Sequence, residues 1–150
     1  MSAIRVQTEP FDTGAEIARL SAGRTDIGGI GCFVGTVRAT AAHPVAALTL
    51  EHYPAMTEPA LARIAAEATA RWDLLGCTVI HRVGRLEPGE PIVLVLAAAG
   101  HREAALEATA FLIDWLKTKA PFWKKEALAG GAETWVEARD ADEAAAALWG

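Results

Sequence analysis

The chain has 150 residues, 52% of them hydrophobic, and a formal net charge of −5. That length suits a single domain, residues 1–150, with a core of its own. The acidic balance excludes a broad nucleic-acid-binding surface, which needs an excess of cations to displace counterions.

No apolar stretch approaches the ~20 residues that span a bilayer. The start, MSAIRVQTEP, lacks the basic and then apolar pattern of a secretory signal, so a soluble, cytoplasmic protein is expected. Cys32 and Cys77 sit in apolar, strand-like contexts without CxxC spacing. They read as buried structural thiols, and neither a metal nor a cofactor is expected.

In chain order, Ile4–Gln7 reads as a short strand, and Asp12 can cap a helix running to about Ser21. Residues 28–38 (GGIGCFVGTVR) read as a strand with a glycine-marked irregularity. Val45–Tyr53 reads as its partner. Thr57-Glu58-Pro59 reads as the start of an amphipathic helix. CTVIHRVG and PIVLVLAAA are strands joined by the turn LEPGE. A long helix then begins near His101, with Leu106, Ala110, Ile113 and Leu116 as its apolar stripe, and Pro121 ends it. FWKKEAL and ETWVEAR read as a hairpin around Gly130-Gly131, followed by a short alanine-rich helix from Asp140. Adjacent strand pairs mixed with helices indicate an α+β fold.

Three segments concentrate charge. Thr36-Val37-Arg38 ends a strand with a guanidinium, which is either a ligand group or an ordinary solvated cation. His101-Arg102 opens a helix, where free N–H groups and the helix dipole favour an anion, or it is simply first-turn surface. KTKAPFWKKE places Lys117 at a helix end and Lys124 on the strand beyond Pro121. Strand alternation puts Phe122 and Lys124 on one side and Trp123 and Lys125 on the other. The two lysines converge across the proline turn, or they are a snorkelling helix-end lysine and an edge-strand charge. His43, His52 and His81 read as ordinary loop or strand residues.

Together, FVGTVR (33–38), LTLEHYPAMTE (48–58), VIHRVGRLEPGE (79–90), HREAALEA (101–108), DWLKTKAPFWKKE (114–126) and WVEAR (135–139) closely resemble the large, catalytic subunit of molybdopterin synthase. The resemblance implies an α/β-hammerhead-like domain with an added antiparallel β subdomain. It implies a sulfurtransferase of molybdenum cofactor biosynthesis. Sulfur would pass from the C-terminal Gly-Gly thiocarboxylate of a small ubiquitin-like subunit to cyclic pyranopterin monophosphate, forming the dithiolene of molybdopterin. It further implies a homodimer within a heterotetramer; from the acidic balance and the lack of a spanning stretch, no nucleic acid or membrane is expected among the partners.

By position, the resemblance assigns catalysis to Lys117 and Lys124. It assigns substrate binding to Phe33, Thr36, Val37, Arg38, His101, Arg102, Lys125, Glu126 and Arg139. The loop ATAAHP after Arg38 departs from the family pattern in lacking its usual Asn and Gly. Length adds a constraint: His101 and Lys117 are 16 residues apart on one expected helix, roughly 24 Å. If both touch one substrate, His101 and Arg102 must come from a neighbouring subunit. The alternative is a noncatalytic module that holds a ubiquitin-like tail in a groove, for example by strand addition.

Overall fold

The structure, a computed structural model, describes residues 2–136 and 139–150. Along the chain it forms β1 (Ser2–Gln7), α1 (Thr13–Ser21), β2 (Gly29–Thr36), β3 (Val45–His52), α2 (Pro54–Trp72) and β4 (Gly76–Arg82). These are followed by β5 (Gly84–Leu86), β6 (Pro91–Ala99), α3 (Arg102–Thr118), β7 (Phe122–Leu128), β8 (Glu133–Val136) and α4 (Asp140–Ala147). The expected last strand, ETWVEAR, is present as far as Val136; Glu137 and Ala138 lie outside the described residues.

β6 organises the first sheet. Its run PIVLVLAAA is buried almost throughout, so it needs strands on both sides and cover on both faces. β4 and β2 flank it, both antiparallel, and β1 joins β4 in parallel to give the order β1-β4-β6-β2. One face carries α2 and α3 over Leu61, Ile64, Val79, Val95 and Leu112. The other carries Leu20 of α1 over Ile80, Leu94 and Leu96.

The second sheet, β5-β3-β7-β8, is antiparallel throughout. The expected pairing of β2 with β3 is therefore incorrect. β2 satisfies the free edge of β6, and residues 37–44 carry the chain across to the other sheet. The segment read as one strand, CTVIHRVG, also divides. Gly84 adopts φ +91 and starts β5, which belongs to the second sheet. A small core of Val37, Val45, Leu48, Leu50, Leu86 and Ile92 fills the junction between the sheets.

Two helix expectations are also corrected. α2 starts at Pro54, not at Thr57, because Pro54 occupies the first turn, where its missing N–H is harmless; Pro59 lies inside the helix. The buried face of α3 is Ala105, Ala108, Thr109, Phe111, Leu112 and Leu116, whereas Leu106 is 62% exposed. The cause lies in β2: a Cβ at Gly31 would lie 2.5 Å from the Ala105 carbonyl oxygen. The helix packs so closely there that Ala105 and Thr109, not Leu106, face the strand. Cys77 is fully buried as expected, but Cys32 is exposed on β2, because its side chain points away from the α3 face.

Candidate functional site

A cavity of about 500 Å³ opens where the two sheets meet, a size suited to a small organic ligand. Val37, Leu48, Ile92, Leu116 and Phe122 give it an apolar wall. Its cations arrive from separate elements: Arg38 from the end of β2, Lys117 from the last turn of α3, Lys124 from β7, and Arg139 from just before α4.

Local structure fixes each of them. Past Thr36, the Val37 N–H donates to the Glu90 carbonyl and the Gly89 N–H donates to the Val37 carbonyl. The strand end is thus clipped to the turn before β6, and Arg38 follows at a fixed place. Lys117 lies beside Leu116 at the edge of the buried stripe, half-buried, one turn after Ile113. The chain leaves α3 at Lys119, whose N–H donates to the Trp115 carbonyl, and turns at Pro121 into β7. Alternation then aims Phe122, Lys124 and Glu126 into the cavity, while Trp123 is exposed.

The electrostatics are unusual at Lys124. Burial, and then the nearby Lys117 ammonium, lower its pKa to about 8, with Asp142 acting in the opposite direction. An amine held there exchanges protons near neutral pH, which an ordinary lysine does not. Glu126 accepts a hydrogen bond from His43 Nε2–H at 2.9 Å. Among the described residues, no group of three or more His, Cys, Asp or Glu side chains is arranged to hold a metal.

Thr36, Val37, Arg38, Lys117, Lys124, Glu126 and Arg139 therefore share one cavity. The other expected residues do not line it. Phe33 packs against the α2–α3 core. Lys125 faces the opposite side of β7, 3.7 Å from Glu133 and over the Trp135 ring. His101 and Arg102 are exposed at the far end of α3, in keeping with the helix-length argument. Sequence reasoning missed His43 and Asp142, which also line the cavity. Neither has a local signal, since a loop and a C-terminal helix bring them in from a distance.

The family model described as MoaE protein matches residues 6–119. The chain belongs to the MoaE family. A molybdopterin synthase catalytic subunit from Ralstonia nicotianae is 55% identical over 151 residues, covering 100% of this chain and 85% of that protein. The MoaE protein from Burkholderia ambifaria, a solved structure, superposes with a TM-score of 0.84 at 52% identity, covering 99% of this chain and 98% of that one. The MoaE fold also matches a chain in the complex of subunits 1 and 2 of molybdopterin-converting factor from Helicobacter pylori. There the TM-score is 0.71 at 20% identity, over 91% of this chain and 90% of that one.

Proposed function

We propose that this chain is the catalytic subunit of a molybdopterin synthase. It would move sulfur from the C-terminal thiocarboxylate of a small ubiquitin-like subunit to cyclic pyranopterin monophosphate. The observation that carries this reading is the pairing of Lys117 with a low-pKa Lys124 in one cavity that also holds Arg38. An anionic phosphate and an anionic thiocarboxylate must meet in such a site, and cations both offset their repulsion and stabilise charge on the leaving oxygen.

In this reading Arg38 and Arg139 take the phosphate, since guanidinium is planar, multidentate and always charged. Lys117 serves as acid/base or charge stabiliser while the sulfur attacks the pterin side chain. Lys124 assists the acyl intermediate and the opening of the cyclic phosphate. Thr36, Val37 and Glu126 shape the pocket. Phe33 and Lys125 act from beside it, and His101 and Arg102 enter from a second copy of the chain in a dimer that carries one small subunit at each end. The cytoplasmic setting and the hammerhead description of the fold belong to the same reading. Among the described residues, no helix is long and apolar enough to cross a membrane.

The test is incubation with thiocarboxylated small subunit and cyclic pyranopterin monophosphate, assayed for dithiolene. Product is expected from the wild type and lost in Lys117→Ala with small-subunit binding intact. Binding without product in the wild type would instead favour the tail-holding module.

A further inference from the structure

Glu126 and Lys124 stand two residues apart on one face of β7, and both line the cavity. Same-face neighbours on a strand are about 7 Å apart at Cα. A glutamate and a lysine reach each other easily over that distance, and simple electrostatics favours a carboxylate beside a half-buried ammonium. The structure is arranged otherwise. The Glu126 carboxylate is turned to His43, at 2.9 Å, and among the described residues Lys124 has no carboxylate at ion-pair distance.

His43 is held for this role by its loop. Thr40 and His43 exchange two backbone hydrogen bonds of 3.1 Å, and the His43 N–H also donates to Thr40 Oγ1 at 3.0 Å. The Val45 N–H then donates to the His43 carbonyl as β3 begins. The imidazole is thus more than half exposed, yet it stands on a pinned turn at the cavity mouth.

We propose that His43 is a positioning residue: its hydrogen bond holds the Glu126 carboxylate away from Lys124, so that among the described residues no carboxylate stands at ion-pair distance from that lysine before an anionic substrate enters. Its bearing on catalysis rests on the function proposed above; the side-chain arrangement does not. Among the described residues, the other charged or titratable groups around Lys124 are Lys117 from α3, Asp142 from α4, His81 from β4, and Arg38 and Arg139 at the cavity wall. His43 makes its hydrogen bonds to Thr40, Glu126 and Val45 and to none of these groups, so they are common to both sides of the comparison.

The test is a pH titration of Lys124 by NMR in protein carrying isotope-labelled lysine, with Lys124→Arg used for assignment. In His43→Ala the freed carboxylate swings to the lysine and raises its pKa by about one unit. In the Glu126→Gln background, His43→Ala leaves Lys124 unmoved, which closes the double-mutant cycle. His43→Gln, still able to donate to Glu126, keeps the wild-type value. No rise in His43→Ala, a rise that persists without the Glu126 carboxylate, or an equal rise in His43→Gln would each overturn the proposal. Dithiolene formation is assayed separately. A wild-type chain that forms no product while the titration behaves as stated overturns the functional reading and supports this one.

Discussion

His81 of β4 lies flat against Phe122 of β7, with ring centroids 3.9 Å apart and planes 20° from parallel. One residue belongs to each sheet, so the stack joins the two sheets beneath the cavity. The imidazole is buried, and its Nδ1–H donates to the Arg82 carbonyl at 2.8 Å. Burial first, with Lys124 and Lys117 adding to it, pushes its pKa down to about 3.

That shift fixes an acid sensitivity. Between about pH 6.5 and 3 the unfolded chain protonates this histidine and the folded chain does not. Stability is therefore fully present above pH 6.5 and falls as pH drops toward 3, by at most ~1.4 kcal/mol per unit from this one group. His81→Gln should flatten that part of the curve. Urea unfolding at a series of pH values is the check, and an unchanged slope would contradict it.

Lys124 titrates in reach of physiological pH, so its neighbours should tune it with opposite signs. Asp142 favours the charged form, and Asp142→Asn should move the Lys124 pKa below about 8. Lys117→Ala removes a repelling cation and should move it up. NMR titration reads both variants. In Asp142→Asn, any limb of the pH–rate profile that belongs to Lys124 should shift to lower pH.

The C-terminal helix is anchored by one aromatic residue. The Trp149 indole N–H donates to Asp114 Oδ2 at 2.6 Å, and its ring meets Trp72 and Phe111 edge-on. Arg71 lies over all three rings. Trp149→Ala should loosen α4, which carries Asp142 into the cavity, and leave both sheets folded. Faster hydrogen exchange confined to 140–150, with a several-fold loss of dithiolene formation, is the expected result.

Close packing of α3 on β2 predicts that Gly31→Ala is damaging although the change is one methyl group. The new Cβ would fall on Thr109 Oγ1 and on the Ala105 backbone, which cannot rotate away. A loss of about 1–3 kcal/mol is expected in denaturant unfolding. By contrast, Cys32→Ala with Cys77→Ala should keep dithiolene formation, since neither thiol lines the cavity.

The KTKAPFWKKE segment was legible because its grammar is local. A proline ends a helix, and strand alternation then decides which lysine returns. Lys117 and Lys124 both line the one cavity. The apolar stripe of α3 differs from the expected one because contact with Gly31 turns Ala105 and Thr109, not Leu106, to the sheet, and that contact exists only in three dimensions. The pairing of β2 with β3 failed for a related reason. Neighbouring strands in sequence usually pair, but β2 pairs instead with the buried β6, on the edge opposite β4. His43 and Asp142 were invisible as site residues because no spacing rule links a loop, a strand residue 83 positions later and a terminal helix.

The seam between the sheets has one more consequence. Arg38 and Lys117 come from the β2–β6 side, Lys124 and Glu126 from the β3–β7 side, and the apolar residues Val37, Leu48 and Ile92 fill the space between. The gap between reacting groups is therefore a property of how two layers seat on each other, not of any single loop. Hydrocarbon at this seam acts as a shim. Changing its thickness by one methylene, as in Ile92→Val, would alter reactivity without touching a charged residue.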